Sequence, residues 1–338
     1  MRTQILTPNE TDIAARLLRK GKLVAIPTET VYGLAASALD EKAVKKIFLA
    51  KGRPQDNPLI IHIARKEDLQ ALVIKVPEKA RILIENFWPG PLTIIFEKNN
   101  LIPDIVTAGS NCVAIRMPSL AVAREIISKS DVPLAAPSAN LSGSPSPTSA
   151  GHVLQDLNGR IEAVLDAGSC SVGIESSIID LSGEFPLLLR PGFVTPEEIE
   201  GLIGKINIDS SINSCIPSGA EVKSPGMKYK HYSPKTKVVI FNGSQKEYVS
   251  FLNSHGPNCA ALCFNEDLPF LKVPSIAFGS LNNSKEQSEK LFHSLRKLDT
   301  LGVEIAYSRM PDRSGIGLAV LNRLLRSSNF EVIENVKT

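Results

Sequence analysis

No stretch of this 338-residue chain approaches the roughly 20 consecutive apolar residues that cross a bilayer, and Met1 to Glu10 carries no apolar core of signal-peptide length. Membrane insertion and secretion are therefore not expected. Cysteine is scarce as well. Its five residues, Cys112, Cys170, Cys215, Cys259 and Cys263, are odd in number and lack the spacing of a disulfide framework, which suits a reducing compartment and predicts a cytoplasmic protein. An excess of one charge is also missing. Thirty-eight basic residues against 35 acidic ones leave a net charge of +3, which excludes a polycation as the basis of function and leaves weak RNA binding at a local basic cleft. The familiar signatures of nucleotide and ester chemistry are absent too. There is no G-x-x-x-x-G-K-[ST] loop, no G-x-G-x-x-G after a strand and no G-x-S-x-G elbow, so ordinary P-loop, dinucleotide and serine-hydrolase readings fail. His62 has no His or Cys companion at metal-ligand spacing, which argues against a protein-built zinc site.

What is present is an ordinary globular composition, 43% apolar and 22% charged, in a chain long enough for two cores. Short apolar runs alternate with amphipathic ones, the pattern of an α/β layer structure with a mixed sheet. In the first two hundred residues the runs predict strands at Leu23–Ile26, Leu59–Ile63, Leu92–Phe96, Val113–Ile115, Leu134–Ala136, Ala163–Leu165, Ser177–Asp180 and Leu187–Leu189. Asp40 is placed to cap a helix whose Val44, Ile47 and Phe48 follow helical spacing, and Glu78–Phe87 and Leu120–Ser128 read likewise. From Asn207 to Pro234 the pattern dissolves into Ser, Asn, Gly and Pro, a linker in composition. Its Met227, Tyr229, His231 and Tyr232 are unusual for a passive tether and predict packing. After Lys237 a second, smaller α/β alternation begins, with strands Val238–Phe241, Ala260–Cys263 and Glu304–Ala306 and helices Lys246–Leu252, Lys285–Leu298 and Gly317–Leu325.

Polar groups gather where the predicted strands end, which is where α/β sheets bind ligands. Pro27-Thr28-Glu29-Thr30-Val31-Tyr32-Gly33-Leu34 follows one strand, and Arg116 ends another. Lys51-Gly52-Arg53-Pro54, with Asn57 close behind, places two cations on a short loop where they can converge on a polyanion. Cations at a helix C-terminus also simply complement its dipole. Ala136 to Pro147, with Ser138, Asn140 and Ser146, offers small side chains and neutral donors near which phosphates can approach, and equally fits a surface loop. Ser176 enters a strand and Arg190 leaves one.

In order and spacing, Pro27–Leu34, Lys51-Gly52-Arg53-Pro54 with Asn57-Pro58-Leu59, Ser138-Ala139-Asn140, and Ser224-Pro225-Gly226-Met227 before His231-Tyr232-Ser233-Pro234 resemble the threonylcarbamoyl-AMP synthase family in its long form. The resemblance implies a YrdC-like catalytic domain with a twisted mixed sheet over residues 1–210, a linker or lid over 211–236, and a smaller Rossmann-like α/β domain over 237–338. It implies condensation of L-threonine, bicarbonate or carbon dioxide, and ATP to threonylcarbamoyl-AMP and pyrophosphate. The product passes to a tRNA threonylcarbamoyl-transfer complex. By the same resemblance Lys51, Arg53, Ser138 and Asn140 are catalytic. Arg53, Asn57, Cys112, Ser138, Ser146, Arg190 and Tyr232 bind ATP, and Thr30, His62, Arg116 and Ser176 bind L-threonine. Magnesium is expected on the ATP phosphates rather than in a protein cage. Cys112 departs from the family pattern, where a hydroxyl residue is usual. The alternative is an RNA-binding module of the same fold without adenylation activity. Hydrogenase-maturation carbamoyltransferases share the YrdC-like domain, but their zinc-finger and acylphosphatase segments are not seen here.

Overall fold

The computed structural model describes residues 2–212, 214 and 231–334. The linker residues Ser224 to Tyr229, among them Met227, lie outside the described residues, as does Cys215. Two compact units emerge: one holds the chain up to Ser142 and Ser146–Ile212, the other Gly143–Pro145 and the described chain from His231 onward.

The first unit is built on an 11-stranded sheet. In chain order its strands are β1 (Gln4–Leu6), β2 (Val24–Ile26), β3 (Gly33–Ser37), β4 (Ile60–His62), β5 (Leu92–Glu97), β6 (Cys112–Arg116), β7 (Leu134–Ala135), β8 (Ala163–Leu165), β9 (Ser177–Asp180), β10 (Leu187–Arg190) and β11 (Asn207–Ile208). They lie side by side as β1-β8-β2-β3-β7-β4-β6-β5-β9-β10-β11. The pairing is mixed: β4 and β6 run parallel, whereas β2–β3, β3–β7, β4–β7, β5–β6 and β9–β10 are antiparallel. Central strands are buried along their whole length, which is why they read as unbroken apolar runs rather than alternating ones. Helices Thr11–Arg19 and Ala121–Ser130 seal one side of the sheet, where Leu18, Ile126 and Ile127 meet Val24, Ile26, Leu134 and Leu165.

Helix Glu41–Lys51 follows the capping logic of its sequence. The Asp40 carboxylate accepts from the Lys42 and Ala43 N–H groups at 2.9 and 3.2 Å, and Val44, Ile47 and Phe48 are buried. Gly52 ends the helix in the left-handed region at φ +62°, a conformation that glycine adopts without strain. The reversal directs the chain into Arg53, two residues after Lys51.

The second unit has five parallel strands, β12 (Lys237–Asn242), β13 (Cys259–Cys263), β14 (Ser275–Ala277), β15 (Ile305–Arg309) and β16 (Val332–Glu334). Their order is β14-β13-β15-β12-β16. A dinucleotide-binding Rossmann sheet runs 3-2-1-4-5-6, so the likeness here is one of layers and parallel strands, not of strand order. Gly315 opens the last helix, Gly315–Ser327, at φ +52°, and a Cβ on Gly317 in its first turn would lie 2.8 Å from the Asp312 carbonyl oxygen.

Candidate active site

Strand register places the polar groups of the first unit on one face. His62 of β4 lies opposite Arg116 of β6, and Thr93 of β5 lies opposite the same arginine. Because side chains alternate along a strand, these three share a face, and Ile60, Ala114 and Ile95 form the next row on it. The opposite face carries Ile61, Ile115 and Ile94, all fully buried. Ile60 and Ala114 retain 8% and 6% exposure, which marks their side of the sheet as the more open one. With Ile178 and Leu189 they make an apolar floor, and Cys112 packs at its edge.

Arg116 anchors the end of this face. Its Nη2 donates to Glu29 Oε1 at 2.6 Å, its Nη1 to Thr30 Oγ1 at 2.7 Å and its Nε to the Gly90 carbonyl at 3.2 Å. Thr30 is held in turn by the Thr28 hydroxyl, which also accepts from the Thr30 and Val31 N–H groups. Burial pushes the Glu29 carboxyl upward, but attraction by Arg116 outweighs it and holds the group below the ordinary glutamate value. Glu29 is therefore a carboxylate.

His62 is neutral for the opposite reason. Burial first, and then repulsion by Arg116, push its imidazole down to about 3. Its Nδ1 lies 3.3 Å from the Ile60 carbonyl, which can only accept, so Nδ1 carries the proton and Nε2 is left as an acceptor. A pH prediction follows. The unfolded chain gains a proton at His62 below about pH 6.5 and the native one does not, so this site removes stability as pH falls from 6.5 toward 3. In urea melts from pH 7 to pH 5, His62→Gln is expected to lose about 2 kcal/mol less than the wild type. Parallel losses in the two proteins would contradict a neutral native His62.

Backbone bonds lace the other segments around this cluster. Tyr32 N–H donates to the Pro147 carbonyl, Leu34 N–H to Pro137, Ala139 N–H to Tyr32 and Val172 N–H to Glu29, at 2.7 to 2.8 Å. The Thr28–Tyr32 turn is thus clamped between both ends of the Ser138–Ser146 loop and the segment leading to Ser176. Lys51 fixes the loop from a second side. Its ammonium donates to the Ser138 carbonyl, to the Asn140 carbonyl at 2.6 Å and to Asn140 Oδ1 at 3.5 Å, while its own carbonyl accepts from Ser142 N–H. Burial, and then repulsion by Arg53, hold this lysine well below its ordinary value. Arg53 Nη2 donates to the Pro58 carbonyl at 3.1 Å and reaches Asn57 O at 3.4 Å. Asn57 is 1% exposed, and its Oδ1 has no partner among the described residues.

Ser176 completes the face. Its hydroxyl shares a hydrogen bond with Thr93 at 2.7 Å and accepts from Arg190 Nη2 at 3.2 Å, while Arg190 Nε donates to the Ser176 carbonyl at 3.0 Å. Ser146 is buried and donates to the Glu175 carboxylate. The turn after Arg190 presses on this segment: a Cβ on Gly192 would lie 2.8 Å from the Ser176 carbonyl carbon and closer still to the Ser177 nitrogen. Gly192→Ala is expected to cost about 1–3 kcal/mol in a denaturant melt, because it must displace backbone rather than a side chain. An unchanged melt would contradict the close packing.

The structure therefore brings together Thr30, Arg116, His62 and Ser176, and separately joins Lys51 to Ser138 and Asn140 and Arg53 to Asn57. Cys112 stands at the other end of β6 from Arg116, four residues away and roughly 13 Å along the strand. Tyr232 belongs to the second unit, where its ring centroid lies 5.2 Å from that of Phe292. Sequence reasoning gave no role to Glu29, Thr93 or Glu175. The available signal was a lone hydroxyl in the apolar run of β5 and a carboxylate beside Thr30. Among the described residues no three His, Cys, Asp or Glu side chains cluster as metal ligands, and no helix is long and apolar enough to cross a membrane.

Residues 16–192 match the Sua5/YciO/YrdC family model, described as telomere recombination, and residues 194–329 match the model described as threonylcarbamoyl-AMP synthase, C-terminal domain. The chain is 43% identical to the threonylcarbamoyl-AMP synthase of Pyrococcus abyssi over 95% of each chain. It is 41% identical to that of Bacillus subtilis, covering 98% of this chain and 97% of the other. The solved structure of Pyrococcus abyssi Sua5 complexed with L-threonine is similar at a TM-score of 0.90 and 42% identity, over 98% of this chain and 99% of that one. With a catalytic-domain match over more than half its length and full-length relatives above 40% identity, the chain belongs to the threonylcarbamoyl-AMP synthase family in its two-domain, Sua5-type form.

Proposed function

We propose that this chain joins L-threonine, bicarbonate or carbon dioxide, and ATP into threonylcarbamoyl-AMP with release of pyrophosphate, the adenylate then serving threonylcarbamoyladenosine formation in tRNA. The observation that carries the reading is the tie from Lys51 to Ser138 and Asn140, because it joins the basic loop to the small-residue loop beside the Thr30–Arg116 cluster.

Threonine's carbamate oxygen must attack the α-phosphorus in line, and negative charge then grows on the phosphate oxygens and the departing pyrophosphate. Positioned cations answer that demand. Arg53 is the guanidinium on the basic loop, and Arg190 supplies a second beside Ser176. Lys51 directs its N–H groups at loop carbonyls, so its role is to hold Ser138 and Asn140 in place. Asn57, with an unanswered buried acceptor, and Ser146 belong to the nucleotide side. On the amino-acid side, Arg116 takes the carboxylate, and Thr30, His62 and Ser176 surround the remaining polar groups. Magnesium fits as an ion carried by the triphosphate, since the described residues offer no carboxylate cage; when bound it would neutralise phosphate charge. The apolar floor keeps water away from a labile adenylate.

Mass spectrometry after incubation with ¹³C-bicarbonate tests the reading. The expected product is an adenylate carrying both the threonyl group and one labelled carbon; AMP or ADP alone would contradict it.

A further inference from the structure

We propose that Glu29 is the acceptor for the substrate's α-amino group, and thereby the residue that selects a free amino acid. This rests on the threonine reading above and names a further contact at the same site.

The ion pair of Arg116 and Glu29 is nearly dry, at 4% and 6% exposure, yet neither partner is used up. Arg116 directs three N–H groups at Gly90, Thr30 and Glu29, out of the five a guanidinium carries. Glu29 Oε1 accepts from Arg116, while Oε2 is buried with no partner among the described residues. The Ser119 backbone N–H adds to the field that keeps this carboxylate ionised, but a buried carboxylate oxygen that makes no hydrogen bond is costly, so Oε2 calls for a donor that arrives with a ligand. Paired opposite charges, each with capacity left over, are complementary to a zwitterion: the ligand's carboxylate meets the spare guanidinium N–H groups and its amine meets Oε2. His62, directly across from Arg116, is uncharged and so does not compete with the amine for Glu29. Glu29, held ionised by Arg116, acts by holding an N–H and not by taking the proton away. The carbamate keeps one N–H, which the same oxygen can go on accepting after carboxylation.

Calorimetric titration of the full chain, without nucleotide, tests this with L-threonine and (R)-3-hydroxybutanoate, which keeps the carboxylate and hydroxyl and lacks the amine. The wild type is expected to prefer threonine by about 10- to 100-fold, the worth of a charge-assisted hydrogen bond. Glu29→Gln is expected to reduce that preference to about threefold or less, through weaker threonine binding. No preference in the wild type would overturn the inference without recourse to any variant. Equal weakening of both ligands by Glu29→Gln would also overturn it, since Glu29 would then act only through Arg116. Failure of the wild type to bind threonine at all would instead remove the substrate reading, and the inference with it.

Discussion

Arg116→Met is expected to lower kcat/KM for L-threonine by about a thousandfold while leaving ATP affinity within a few-fold of the wild type. The charge-assisted contacts on which a carboxylate would dock are then gone, and a dry site cannot replace them with water. The same change strands Glu29 as a buried carboxylate, because its ion-pair partner at 2.6 Å is removed. That leaves an uncompensated charge, which costs about 3–5 kcal/mol in a denaturant melt. Adding Glu29→Gln to Arg116→Met should recover much of the stability and none of the threonine binding. A double variant that regains threonine affinity would show that Arg116 only supports the fold.

Lys51→Met is expected to have the next largest effect, with a different signature: kcat falls by about 10²- to 10³-fold and ATP affinity falls, while threonine binding is retained. The Lys51 side chain holds the Ser138 and Asn140 carbonyls, and removing it takes a donor from each, a loss worth about 1–3 kcal/mol per acceptor. Lys51→Arg should not rescue activity, since a planar fork cannot occupy the place of a compact ammonium whose acceptors come from one tight loop. Paired measurements of pyrophosphate release and threonine binding separate this outcome from that of Arg116→Met. Loss of threonine binding along with kcat would contradict the division of the site into two sides.

Much of the fold was legible in the amino-acid pattern because its elements are long or strongly patterned. Helix Glu78–Phe87 has the bounds its sequence predicts, and Asp40 caps the helix it was expected to cap. Eight predicted strands of the first unit are present within one or two residues. β3, Gly-Leu-Ala-Ala-Ser, was hidden: small residues without β-branching read as loop, yet they are wholly buried and hydrogen-bonded between β2 and β7. There tertiary context overrides propensity. The short strands β1, β11, β14 and β16 have only two or three residues each, too few to show a period.

The site was legible in its residue types but not in its contacts. Lys51 and Arg53 looked alike on the page, two cations flanking a glycine, and the fold separates them: one ammonium points into a loop 87 residues away, the other cation stays with Asn57 and Pro58. Glu29 lies inside the Pro27–Leu34 motif without an evident role in sequence, because a carboxylate in a turn reads as solvated until Arg116 is known to lie against it. Thr93 was invisible for a similar reason. Only the β5–β6 register sets it opposite Arg116, from where it reaches Ser176.

Pyrophosphate release measured with ATP and bicarbonate, comparing L-threonine, L-serine and no amino acid, tests the central claim most directly. Release that depends on L-threonine, is weaker with L-serine and is negligible without an amino acid is the predicted result. Release that is indifferent to the amino acid would contradict the assignment of this chain as a threonine-specific adenylating enzyme.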